Sequence, residues 1–262
     1  MDGKQLTVST IPSIINKTYG VKSMKDYLVD LVKHTHNLGN INMVKVKGSA
    51  EACEFEGLSE DRSVIFNGKF KTPVAEFQGT FGIPSVAKLN VLLNIPEYRE
   101  DAEITLLQQD GVASGLRFKN KAGDFKNDYR FMAEALVNDK LKSVKFRGVN
   151  WNVDFEPTVA GIMRLKYQSQ AHSEENFFTA KTDGTDLKFY FGDHSSHAGD
   201  FVFQSDVAGT LSKPWKWPVA VVQSILGLDG DKTFKISDEG AAMITVDSGI
   251  AEYNYILPAM TK

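Results

Sequence analysis

Cysteine is almost missing from this sequence. Cys53 is the only one in 262 residues, which excludes a disulfide scaffold and suits a reducing compartment. A lone cysteine in an apolar context reads as a small buried hydrophobe rather than a nucleophile. Nowhere do 18 apolar residues follow one another, and the opening Met1-Asp2-Gly3-Lys4 lacks a basic stretch leading into an apolar run. The expectation is therefore a soluble, cytoplasmic protein without a membrane span. Low-complexity tracts are absent. So are the Gly-x-Gly-x-x-Gly fingerprint, the phosphate-loop pattern and the Gly-x-Ser-x-Gly elbow. The formal net charge of −3 gives no global excess of positive charge, so an anion-binding role must come from how charge is distributed.

What is present begins with composition. At 42% hydrophobic and 24% charged residues, the chain can build one large or two ordinary cores. Four short amphipathic stretches begin near Met24, Pro84, Pro157 and Trp217, at intervals of 60, 73 and 60 residues, each followed by about three strand-like runs. Units repeated at such a period bury their apolar faces against their neighbours. The longer middle interval marks the join between two pairs. The spacing predicts two similar halves, 1–134 and 151–262, separated by a connector at 135–150.

Ser23 is a plausible N-cap for a first helix reaching Asn37, with Met24, Tyr27, Leu28, Leu31, Val32 and Thr35 on its core face. Alternation then predicts strands at Ile41–Lys47, Glu51–Glu56, Ser63–Phe70 and Val74–Phe81. A second helix begins at Pro84 and ends before Pro96, and strands follow at about 102–108, 114–120 and 125–133. Residues 134–150 keep neither period and suit an exposed connector. The pattern restarts with a strand at Trp151–Phe155 and a helix at Pro157–Gln170. A hairpin of Asn176–Lys181 with Asp186–Phe191 comes next, then a strand at Gly199–Ser205. A fourth helix at 217–227 precedes closing strands at Lys232–Ser237, Ala241–Asp247 and Ala251–Leu257. The fold class is α+β.

Four short helices cannot cover both faces of so much sheet, so they should share one side. Their outward faces are unusual. On the third helix they carry Ala160, Gly161, Arg164, Gln168 and Ala171. On the fourth they carry Ala220, Gln223, Ser224 and Gly227, preceded by Lys213 and Lys216. Small residues with scattered cations and no acid differ from an ordinary solvated face, which mixes Glu with Lys. A surface that slides along polyphosphate needs positive potential without shape-locked contacts. Charge is also uneven along the chain: Arg117 to Arg147 holds nine Lys or Arg against four acids, +5 against −8 for the remainder. A Lys-rich edge strand and loop would read the same way.

In this organisation, and in the ending Tyr253-Asn254-Tyr255-Ile256-Leu257-Pro258-Ala259-Met260, the chain resembles the DNA sliding clamps. These are ring-shaped processivity factors of replicative polymerases. The ending is similar to the Tyr-x-Leu-x-Pro-Met terminus that clamps place beside their partner pocket. Two domains match the trimeric clamps of phages, archaea and eukaryotes. The long segment before Met24 and the missing signature strings of the cellular trimers point to a viral or divergent member, which would work in the host cytoplasm. The resemblance implies a non-enzymatic homotrimer without cofactors. Its partners would be duplex DNA of any sequence, a replicative polymerase and a clamp-loader ATPase. Helices would line the inner face and antiparallel sheets the outside. The DNA-facing set would be Lys22, Lys25, Lys33, His36, Lys88, Arg164, Lys213 and Lys216. The strand near Phe125–Met132 would meet the strand near Gly199–Ser205 of the next subunit, setting Lys126 and Arg130 against Asp200 and Asp206, with Phe203 in the interface. The partner pocket would lie where the connector, with Val149, crosses Leu257, Pro258 and Met260.

Two other readings stay open: a monomeric processivity subunit of the same fold, and a metal-dependent hydrolase using Asp193-His194-Ser195-Ser196-His197. The second string lacks the helical His spacing and nearby Glu of metallohydrolases, so a hydrated loop explains it without a metal. Asp110-Gly111 and Asp183-Gly184 are explained by turn geometry. Trp215 and Trp217, flanking Lys216, suit a packed corner better than a stacking platform for bases.

Overall fold

The computed structural model describes residues 22–39, 41–99, 102–141, 146–193 and 197–260. In the first half, α1 (Met24–Lys33) leads to β1 (Val44–Gly48), β2 (Cys53–Leu58), β3 (Ile65–Phe70) and β4 (Gly79–Ile83). Then come α2 (Val86–Asn94), β5 (Glu103–Gln109), β6 (Val112–Lys119), β7 (Lys126–Arg130), β8 (Met132–Ala133) and α3 (Glu134–Lys140). The second half holds β9 (Val153–Phe155), α4 (Val159–Ala171), β10 (Phe177–Lys181), β11 (Leu187–Phe191) and β12 (Gly199–Gln204). It ends with β13 (Lys216–Pro218), α5 (Val219–Leu226), β14 (Asp231–Ser237), β15 (Ala241–Asp247) and β16 (Ala251–Pro258).

Side-chain chemistry accounts for the element ends. Ser23 and Asp26 form a reciprocal capping box at α1, while Ser85 and Thr158 cap α2 and α4 with their hydroxyls. Pro84 thus lies before the second helix rather than in its first turn. Trp217 is not helical, because it pairs with Phe178 as part of β13 and only Val219 starts α5. The first helix stops at Lys33, and His36–Leu38 form a separate 3-10 turn closed by the left-handed Gly39. The expected strand from Val74 begins only at Gly79, whose φ of 84° turns the chain into the sheet. The connector opens with α3, anchored by Val137 against Gly82.

Among the described residues the strands form three sheets. The largest has nine strands in the order β8-β4-β1-β2-β3-β16-β15-β14-β9, so the pairing of β3 with β16 joins the two halves. Register places Ile83, Val44, Gly57, Phe66, Tyr255, Ile244, Phe234 and Phe155 in one transverse row, apolar from end to end. The others are β12-β11-β10-β13 and β5-β6-β7. All strand pairs are antiparallel. Helix α1 packs on α2 and α4 on α5, and α5 also meets the 36–38 turn, so these helices run as one continuous layer across both halves.

Candidate nucleic-acid interface

The helical layer is the most distinctive surface. Leu28, Leu31 and Val32 of α1, Leu89 and Leu93 of α2, Leu165 of α4 and Val222, Ile225 and Leu226 of α5 are buried. Their opposite faces stay open, and α2, α4 and α5 contain no acidic residue. In α1, Asp26 is engaged by Ser23 at the cap, and Asp30 is buried, accepting from Tyr253 Oη at 2.7 Å and Ser248 Oγ at 2.8 Å. The hydrogen bonds at the cap hold the Asp26 carboxyl below its ordinary range. The carboxylates of α1 serve the fold while Lys22, Lys33, Lys88 and Lys166 stay exposed, which gives the layer a positive balance of charge inside an acidic chain.

Lys22, Lys33 and Lys88 are exposed and His36 is half-buried at the seam between α1 and α5. Arg164 is exposed and donates to Val202 O at 3.1 Å, which ties α4 to β12. Lys25 is differently employed: its ammonium donates to Tyr98 O at 2.6 Å and Arg99 O at 2.8 Å, capping the 3-10 turn after α2. Lys166 is exposed on α4, although helical spacing suggests an inward stem. Tyr167, 60% exposed, and Val159 add apolar surface to that helix.

Lys213 and Lys216 lie elsewhere. Lys216 alternates in β13 with Trp217, which is 1% exposed, so it points away from the core and the helices. The Lys213 amide donates to Asp238 on the β14–β15 turn. Both lysines sit beside the chain end, where Met260 N donates to Lys216 O and Ala259 N to Gly240 O. There Pro258 is exposed and Met260 is 43% exposed, whereas Leu257 is fully buried and completes the core alternation of β16. Val149 is half-buried in the connector. Trp215 is a packed corner, its indole N–H donating to Asp238 O at 2.8 Å.

β7 and β12 are each the last strand of their sheet among the described residues. Lys126, Arg130, Asp200 and Asp206 are exposed beside these edges. Phe203 is 2% exposed and stacks on Phe189 at 4.3 Å, so its ring belongs to the core beneath β12. Of the Asp193–His197 turn, residues 194–196 lie outside the described residues. Among the described residues no group of three His, Cys, Asp or Glu could hold a metal.

The fold built from these elements is similar to that of solved structures. One is a PCNA from A. fulgidus, solved with the C-terminal region of FEN-1. It superposes with a TM-score of 0.66 at 10% identity, over 89% of this chain and 96% of that one. Another is the PCNA from Thermococcus kodakaraensis, with a TM-score of 0.65 at 11% identity, over 91% of this chain and 98% of that one. The fold is that of a DNA sliding clamp. No protein-family model matches the sequence, and no curated protein does. No described helix of this clamp fold is long and apolar enough to cross a membrane.

Proposed function

We propose that the chain is a sliding clamp that closes into a homotrimeric ring around duplex DNA and tethers a replicative polymerase, with no reaction of its own. The observation that carries this reading is the continuous helical layer whose open faces present cations while its carboxylates are spent on a cap and a buried network. Lys22, Lys33, Lys88, Arg164 and the exposed Lys166, with His36, supply the phosphate-facing charge. Such contacts carry no base information, so binding is indifferent to sequence.

Residues 1–134 and 151–262 act as the two clamp domains, with 135–150 as the connector. Ring closure pairs β7 of one copy with β12 of the next. That covers two open edges that would otherwise invite aggregation, and it sets Lys126 and Arg130 against Asp200 and Asp206. The partner site lies on the outer side, where the connector passes Pro258 and Met260. A clamp-loader ATPase would open the ring, and a virus-infected host cytoplasm fits so divergent a member.

The test is solution mass together with topological retention. A mass near three times 29.0 kDa, with loader-dependent retention on closed circular DNA and release on linearisation, is expected. A monomer that binds linear and circular DNA alike would overturn the ring.

A further inference from the structure

The β14–β15 turn gathers three distant parts of the chain. Asp238 accepts from Ser212 N and Oγ, both at 3.0 Å, and from Lys213 N at 3.1 Å. Its own amide donates to Asn152 Oδ1 at 2.9 Å. Glu239 accepts from Asn150 N at 2.9 Å at the end of the connector. Ala259 N donates to Gly240 O, and a Cβ at Gly240 would border Trp215 and Ala259. The acids of this turn therefore accept from backbone amides and the Ser212 hydroxyl and hold the connector and the loop before β13, while the Gly240 carbonyl takes the chain end.

The cations there do the reverse. The Lys213 amide, not its ammonium, meets Asp238, and Lys216 leaves β13 on the face opposite the buried Trp217. Arg147 is exposed three residues before the Asn150–Glu239 bond. Among these charges stand exposed Pro214, Pro258 and Met260. Cationic heads around a compliant apolar centre, on the side away from the helices, are not what a phosphate backbone needs. They match a peptide that brings an apolar anchor with carboxylates beside it.

Resting on the clamp reading, we propose that this surface selects partners whose docking peptide is acidic around an apolar anchor, with Lys213, Lys216 and Arg147 setting the preference. The charged rim chooses the peptide and speeds its arrival, while Pro258 and Met260 give the contact that holds it.

Three labelled dodecapeptides test this against the full chain: a central Leu-Phe anchor flanked on both sides by paired Asp, paired Ser or paired Lys. The Asp peptide should bind about tenfold or more tighter than the Lys peptide at low salt, with the difference shrinking as salt rises. The double variant Lys213→Glu, Lys216→Glu should reverse that order with solution mass and retention on circular DNA unchanged. Equal binding of all three peptides, no binding of any, or an order untouched by the reversal overturns the inference. So does loss of DNA retention in the variant, which would assign these lysines to DNA. Failure of the clamp reading would show separately, as a monomer that still discriminates among the peptides.

Discussion

Tyr253 of β16 donates its phenolic proton to Asp30 of α1 at 2.7 Å, across 223 residues of sequence. The His34 ring stacks on the same tyrosine at 4.4 Å, and Tyr255 donates to His34 O at 2.6 Å, so one polar cluster fastens the first helix to the last strand. Burial, with the Asp30 charge behind it, holds the Tyr253 phenol well above its ordinary range. A phenol whose folded pKa exceeds its unfolded one stabilises the fold fully below about pH 10, and that contribution fades as pH rises beyond it. Tyr253→Phe should cost about 1–3 kcal/mol in denaturant unfolding at pH 7, because the buried Asp30 loses one of its two hydroxyl donors and keeps only Ser248 Oγ. It should also flatten the loss of stability above pH 10; a variant with the parent's alkaline profile would remove Tyr253 from that role.

Cys53 is fully buried in β2, and burial, aided by Glu54, pushes its thiol up to about 12. Only the thiolate attacks a disulfide reagent. Ellman's reagent should therefore label the native protein at pH 8 at the unfolding rate, independent of reagent concentration once that is high. Fast, concentration-dependent labelling would show that the β2 face is open.

Gly161 falls on the open face of the third helix by spacing, but it is buried: an added Cβ would stand 2.3 Å from Phe203 O. Gly161→Ala should push α4 off β12 and cost about 1–3 kcal/mol. If β12 closes the ring, the same variant should dissociate at higher protein concentration than the parent. Thermal unfolding and concentration-dependent mass check the two effects separately.

Replacing Lys33, Lys88 and Arg164 by Ala should lower the log–log salt slope of DNA binding by about 0.9 for each phosphate no longer neutralised. Affinity should fall alike on sequences of any composition. A parental slope in fluorescence titrations would move the DNA-binding surface away from this layer.

At the proposed ring joint, Lys126→Glu with Arg130→Glu should give a mass near 29.0 kDa. Adding Asp200→Lys and Asp206→Lys should restore the larger species. Light scattering decides, and a double variant that stays trimeric would exclude the charge pairing.

Much of the fold is legible in the sequence because the relevant forces are local. Ser23 announces its helix through a hydroxyl cap, and the alternation of β14, β15 and β16 survives because each has a less buried face, whereas the third helix starts at Val159 behind the Thr158 cap rather than at Pro157. The repeat of helix and three strands also points to the clamp architecture. What stays hidden depends on distance in sequence. No periodicity reveals that Lys25 caps a turn 73 residues away, or that Lys216 faces outward from a three-residue strand. Helix α3 escapes sequence reading since one buried residue, Val137, shows no period. Leu257 and Pro258 look alike as apolar neighbours at the chain end, yet strand alternation buries one and exposes the other.

The pairing of β3 with β16 also sets an order of events during synthesis. Ala251 meets Phe70, so the partner of β3 leaves the ribosome about 180 residues after β3 itself. At about 5–20 residues per second, that strand edge waits on the order of 10–40 s with its hydrogen-bonding groups unclaimed. During the wait, Lys69 and the glycine at Gly68 are the defences of an edge that offers Phe66 and Phe70 to any passing strand. The nascent first half is thus the species that a chaperone would need to shield, and its yield should depend on translation speed more than on the stability of the finished protein.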